Sequence, residues 1–159
     1  MSQLSLAEVP EALGTAFAAD PANTPREREQ ENVSLLARMM AAIVAGDFGT
    51  LHGCLAPDAT LEMAVPHGVP WARRASGADE VAAAVAANFA TVRDQRPEPL
   101  TVLAQGDTVV VMARETGRWA ESGEPYKILL AHHFTFRDGR LAAFRSVAAP
   151  TGRADDAGG

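Results

Sequence analysis

The chain has 159 residues, 47% of them hydrophobic and 21% charged, which is the size and balance of one soluble domain with one core rather than two. Its 13 glycines and 10 prolines sit in no long polar tract, which excludes a collagen-like, coiled-coil or wholly disordered chain. A formal net charge of −6 argues against nucleic acid and against an acidic membrane surface as partners, since both are polyanions that recruit basic proteins.

Cys54 is the single cysteine, so it closes no internal disulfide and builds no thiolate zinc site, which points to a reducing compartment. The first residues lack a basic n-region followed by an unbroken apolar run, and no stretch is apolar for long enough to span a bilayer. The expected location is the cytoplasm.

Residues 1–26 are alanine- and acid-rich and carry Pro10, Pro21 and Pro25. One short helix between Leu4 and Ala19 fits before the later prolines, and the segment reads as a loosely packed arm. From Arg28 onward, Val33, Leu36, Met39, Met40, Ile43 and Val44 recur at helical spacing and stop at Gly46, predicting an amphipathic helix closed by a glycine. Asp47 is then the N-cap of a second, shorter helix, Phe48 to Leu55. Pro57 and Asp58 end it, and residues 59–66, ATLEMAVP, have the content of a short strand. Residues 67–77 are turn-rich and read as a loop. Ala78 to Val92 is a third helix, with Val81, Val85 and Phe89 at four-residue steps, Ser76 as its N-cap and Pro97 and Pro99 beyond its end.

Strands follow at Leu100 to Leu103, Thr108 to Ala120, Tyr126 to Phe136 and Leu141 to Ala148. They are separated by Gln105-Gly106-Asp107, Ser122-Gly123 and Asp138-Gly139, and Asp-Gly between apolar runs is a strong hairpin signal. The layout is an arm (1–26), a domain (27–150) and a solvated tail (151–159). Helices first and an antiparallel meander afterwards make the fold class α+β.

This order of elements resembles the nuclear transport factor 2 (NTF2-like) superfamily, in particular its SnoaL-like and ketosteroid-isomerase-like members. The resemblance is carried by AGDFGTLHGCLAPDATLEM at 45–63, SGADEVAAAVAANF at 76–89 and FTFRDGRLAAF at 134–144, and it covers residues 28–148. It implies a cone, in which a curved antiparallel sheet wraps three N-terminal helices around an internal apolar pocket, and a homodimer through the outer sheet face. The same cone serves isomerases, cyclases, epoxide hydrolases, scaffolds and binding proteins, so function has to come from the residues in it.

Placed on the ketosteroid-isomerase pattern, Met63 stands where that enzyme's base aspartate would be and Met39 where its tyrosine would be, which removes that chemistry. His132 falls near the position of the buried acid. The epoxide-hydrolase arrangement needs two acids and an arginine around a water, and no such set lies on the expected inward faces. Strand parity supplies what remains, because residues two apart share a face. Tyr126, Ile128, Leu130, His132 and Phe134 form one face, matched by Val109, Val111, Ala113, Glu115 and Trp119. If Ser122-Gly123 is a two-residue turn, Glu115 lies opposite Leu130 and diagonal to His132, where it would orient the imidazole as a general base. The alternative keeps Glu115 at the rim, bonded to solvent or Arg114, and His132 as a satisfied core histidine.

A plain Asp138-Gly139 hairpin would put Arg145 opposite His132, whereas a β-bulge would turn Phe144 and Ser146 inward instead. In the loop, Trp71 is a lid or a packed anchor, and Arg73 or Arg74 would hold an anionic group. His52 and Cys54 are assigned to packing, Glu62 to the surface and His133 to the outer face.

The catalytic candidates are therefore His132 and Glu115. The ligand-binding candidates are Met39, Met63, Trp71, Ala113 and Trp119, together with Tyr126, Ile128, Leu130, Phe134 and Ser146. Adjacent His132 and His133 point apart on a strand and make no metal site, and there is no phosphate loop, Ser-His-Asp order or HExxH. The expected ligand is a small apolar or aromatic molecule, turned over without cofactor or metal by an isomerase- or cyclase-type enzyme. The alternative is a non-catalytic binding or dimeric interaction module.

Overall fold

A computed structural model describes residues 5–19 and 27–151 of the chain. A single 3-10 turn, Leu6–Glu8, leads into helix α1, Val9–Ala19, whose second residue is Pro10. Proline is tolerated there because a first-turn N–H has no intrahelical acceptor to lose. Val9, Leu13 and Phe17 repeat every four residues and are buried against helix α2, Glu27–Ala45, and strand β3, Val92–Gln105. This corrects the expectation of a loosely packed arm: the acid-rich composition masks a three-residue apolar stripe. Leu4, residues 20–26 and the expected tail beyond Thr151 lie outside the described residues.

Helix α2 buries Val33, Leu36 and Met39, as its periodicity requires, and ends before Gly46. Asp47 caps α3, Phe48–Gly53, accepting from the Thr50 backbone N–H at 3.0 Å and from its hydroxyl at 2.6 Å. This helix is shorter than expected, because Leu55 already begins strand β1, Leu55–Ala64. Pro57 is accommodated by a register shift against β6, Arg140–Pro150, between Leu55 and Thr60. A three-residue strand inside the expected loop, β2, Arg74–Ser76, pairs with the other edge of β1. Helix α4, Ala78–Ala90, is capped by Gly77 at φ +89° rather than by Ser76, whose backbone N–H instead donates to Glu80 Oε2 at 3.1 Å.

The chain turns back at Thr91, and β3 runs for 14 residues straight through Pro97 and Pro99, where a loop was expected up to Leu100. Two circumstances permit this. β3 is the edge of the six-stranded sheet, order β2-β1-β6-β5-β4-β3, and its register breaks between Arg93 and Arg96 and again between Pro99 and Thr101. Strands β4, Thr108–Trp119, and β5, Pro125–Arg137, complete an antiparallel meander with β3 and β6. The β1–β6 join is parallel, so the sheet is mixed rather than wholly antiparallel. Curved, unclosed and wrapped on the helices, it forms the expected α+β cone.

Two registers determine what faces inward. The β4–β5 connection is the five residues 120–124 and the last register pair is Arg118 opposite Pro125, so every pair is displaced by two residues from the register of a two-residue Ser122-Gly123 turn. At β5–β6, Arg137 pairs with Arg140 as in a plain hairpin, but the register slips between Thr135 and Phe136. The bulge alternative is the one realised, with Phe144 opposite Phe134 and Ser146 opposite His132, while Arg145 points outward to Glu62 at 3.4 Å.

Gly117 stands opposite Tyr126, and a Cβ there would lie 2.6–2.8 Å from the phenol ring. The ring therefore lies across the bare backbone. Burial, with the Glu115 carboxyl beside it, pushes the Tyr126 phenol well above its ordinary value. Tyr126 is the only tyrosine in the chain, so tyrosinate absorbance reads it alone. Gly117→Ala is expected to displace the ring and cost about 2 kcal/mol in denaturant unfolding. It should also bring phenol ionisation into the alkaline range where the folded wild type shows none.

Candidate functional site

Helices α1, α2 and α4 and the inner face of the sheet enclose a cavity of about 170 Å³. Its wall is apolar over most of its extent, with Leu13, Leu36, Met40, Ile43, Val81, Val85 and Phe89 on the helical side. Among its described lining residues, Glu115 and His132 are the only ones that titrate near or below neutral pH, and Asn88 and Gln95 add two amides. Of the residues expected to bind ligand, Met39, Met63, Trp71, Ala113, Leu130 and Phe134 line the cavity, as do both catalytic candidates.

The other four candidates do not line it. Trp119, Tyr126 and Ile128 belong to a second, smaller core with Val65, Val92 and Ala148, and Trp119 packs on Tyr126 at 4.8 Å and on Trp71 at 6.0 Å between ring centroids. Their parity is as expected, but the loop after β1 fills the space over that end of the sheet. Ser146, 3% exposed, stands behind His132 rather than on the wall.

His132 lies between Val111 on β4 and Ser146 on β6. Its Nδ1 is 2.9 Å from Ser146 Oγ, and the rings of Phe134 and Phe144 flank it at 5.9 and 5.3 Å. The residue is only partly buried by accessible surface, and it lines the cavity. Enclosure in the protein holds its imidazole down at about 4, so the ring is neutral at physiological pH. When Nδ1–H donates to Ser146, Nε2 carries a lone pair facing no partner among the described residues.

Glu115, 8% exposed, stands opposite Ile128. Tyr126 donates its hydroxyl to Glu115 Oε1 at 2.6 Å and Gln95 donates its amide to the same oxygen at 3.3 Å. Burial raises the carboxyl above its ordinary range, against the lowering effect of those two hydrogen bonds. Four residues along β4 separate Glu115 from Val111, the partner of His132, or about 13 Å of strand. The expected contact between Glu115 and His132 is thus not formed. The two-residue register difference hands Glu115 to Tyr126, and Ser146 takes over the holding of the imidazole. The rim alternative fails as well, since Arg114 points outward to Glu98 at 3.1 Å.

Gln95 and Asn88 were missed by the sequence reading. Gln95 lies in a stretch whose prolines disguised a strand. Asn88 Oδ1 accepts from the Ala72 N–H at 2.7 Å, tying the loop to α4. Trp71 donates its indole N–H to Thr91 Oγ1 at 3.0 Å while lining the cavity, which makes it an anchor. Arg73 donates to the carbonyls of Val65 at 3.0 Å and Pro66 at 3.4 Å, a structural use of the guanidinium, and Arg74 lies exposed on β2. Cys54 is buried as expected, but His52 is half exposed and bonded to Asp79 at 2.7 Å, not packed. No helix among the described residues is long and apolar enough to cross a membrane. No three described His, Cys, Asp or Glu residues are grouped to hold a metal ion.

A profile of the SnoaL-like domain matches residues 36–144, well over half of the chain. An NTF2-like protein from Burkholderia xenovorans is 26% identical, with a TM-score of 0.67 over 76% of this chain and 91% of its own. A candidate SnoaL-like polyketide cyclase from Jannaschia is 20% identical, with a TM-score of 0.68 over 79% of this chain and 90% of its own. An LEH-like epoxide hydrolase from M. tuberculosis is 16% identical, with a TM-score of 0.57 over 76% and 84%, and at such identities the likeness is one of fold. No relative among curated proteins matches the chain. The matched profile runs from the middle of α2 to the first half of β6 and so takes in most of the bent sheet, and the chain belongs to the SnoaL-like domain family of the NTF2-like superfamily.

Proposed function

We propose that the protein binds a small apolar or aromatic molecule in its cone cavity and moves a proton on it, in an isomerase- or cyclase-type reaction with His132 as the base. The observation that carries this reading is one imidazole on a largely apolar wall, held at Nδ1 by Ser146 and neutral, with Nε2 left for the ligand. A base of this strength is comparable to the carboxylate that moves a proton next to a carbonyl in ketosteroid isomerase. Imidazolium is costly in such surroundings, so a proton taken up at Nε2 is readily returned, as a shuttle requires. The similar fold of a candidate polyketide cyclase supports the reaction class, and the acidic composition with one buried cysteine supports a cytoplasmic setting.

The proposal includes a homodimer through the outer sheet face. Met112, Ala131 and Val147 form one row across β4, β5 and β6, and Leu100 and Leu103 extend the apolar face onto β3. Arg114–Glu98 and Arg145–Glu62 flank that row. Light scattering is expected to give twice the chain mass for the wild type and a monomer for Met112→Glu with Val147→Glu; a wild-type monomer refutes the dimer.

Native mass spectrometry of the purified protein, followed by denaturing extraction, is expected to recover an apolar ligand. Ala113→Trp should abolish its retention by filling the cavity. His132→Gln should keep binding but lower turnover of that ligand at least about 100-fold, and unchanged turnover would leave a binding module without chemistry.

The two cavity groups have opposite linkages. His132 refuses a proton between its ordinary 6.5 and about 4, so the stability it supports is lost as pH falls through that interval, by up to about 3 kcal/mol. Glu115 keeps a proton that the unfolded chain loses near 4.5, so its contribution is present at low pH and is lost as pH rises through its folded value. Unfolding free energies across pH should lose the acid-side slope in His132→Gln and the opposite slope in Glu115→Gln.

A further inference from the structure

We infer that Glu115 Oε2 is the anchor for a hydrogen-bond-accepting oxygen, a carbonyl or ether, so that the cavity selects neutral oxygenated molecules over plain hydrocarbons and over amines. This rests on the cavity-binding reading above and adds the ligand's chemical class to it.

The geometry is asymmetric at the carboxyl. Tyr126 and Gln95 both donate to Oε1, and no described residue donates to Oε2, although Glu115 is almost wholly buried and lines the cavity. In the protonated form that burial favours, the oxygen that accepts both hydrogen bonds is the carbonyl oxygen of the acid, and the proton sits on its twin. Oε2–H of that neutral acid has no hydrogen-bond acceptor among the described residues. Such a donor costs free energy until an acceptor arrives, and a ligand oxygen supplies one.

Ionisation would remove this donor, and the surroundings oppose it. Burial is the largest influence on the carboxyl and raises it. No Lys or Arg lines the cavity among the described residues, and the nearest arginine along β4, Arg114, is engaged by Glu98 on the other face. Of the titratable groups on the strands beside Glu115, Tyr126 on β5 donates to it and His132 lies further along the same cavity wall; Arg93, Asp94, Arg96 and Glu98 on β3 and Lys127, His133 and Arg137 on β5 do not line the cavity, and the cavity-lining residues of α1, α2, α4, β1 and β3 contribute none. The anchor is thus at the opposite end of the cavity wall from the base, on a different strand, and the ligand carries its oxygen remote from the carbon that His132 attends.

Isosteric probes test this by calorimetry on the full chain: indane, 1-indanone and 1-aminoindane. Wild type at mildly acidic pH is expected to bind 1-indanone about tenfold more tightly than indane, the worth of one neutral hydrogen bond. Glu115→Gln should keep that preference, since its amide accepts from Tyr126 and donates into the cavity, whereas Glu115→Met should lose it. Raising the pH should erode the preference in the wild type and leave it intact in Glu115→Gln, a readout that stands even if the methionine variant does not fold. Equal wild-type affinity for indane and 1-indanone overturns the inference while sparing the cavity reading. So does a preference retained by Glu115→Met, or tighter wild-type binding of 1-aminoindane, which would make Glu115 a carboxylate for cations. Binding of none of the three overturns both.

Discussion

Across an antiparallel sheet, a side chain's neighbours are set by register, and the contacts of Glu115 with Tyr126 and of His132 with Ser146 depend on the registers that join β4, β5 and β6. The five-residue β4–β5 connection puts Glu115 beside Tyr126, and the bulge in β6 puts Ser146 behind His132. A one-residue slip at the bulge would exchange the buried Ser146 for Arg145, bringing a guanidinium against a neutral imidazole in an apolar enclosure. The site's chemistry is thus specified by backbone irregularities as much as by the identities of its residues.

Those registers separate two polar groups that a small cavity would otherwise force together. Each has a hydrogen-bonding neighbour on one side and the cavity on the other, and each is held by burial toward its uncharged form. A wall neutral at both ends suits apolar molecules, because no ligand charge is demanded and no counterion need be carried in. Gly117 belongs to the same design, since the close approach of the Tyr126 ring requires a residue without a side chain.

Much of the architecture was legible in the sequence. The periodicity of α2 and α4, the Asp47 cap, the Asp138-Gly139 turn and the inward parity of β4 and β5 all follow from local rules, and together they carried the family resemblance. What was not legible was long-range. Pro97 and Pro99 speak against a strand unless that strand is known to lie at an edge, and edges are decided by the whole sheet. Without β3 there was no place for Gln95, and the partner of Glu115 was misjudged for want of the true length of the preceding connection. The stripe of Val9, Leu13 and Phe17 acquires meaning only from the β3 surface it covers.

An open sheet has two margins, and both are poor templates for further strand addition. At one, β2 is only three residues long. At the other, Pro97 and Pro99 remove two amide donors from β3, the register breaks twice, and the exposed Arg93 and Arg96 add charge. Chain-to-chain polymerisation through strand margins is disfavoured by short, kinked or charged termini of this kind. The same prolines that conceal β3 in the sequence therefore allow a long, bent sheet to stay unclosed without becoming a seed for fibres.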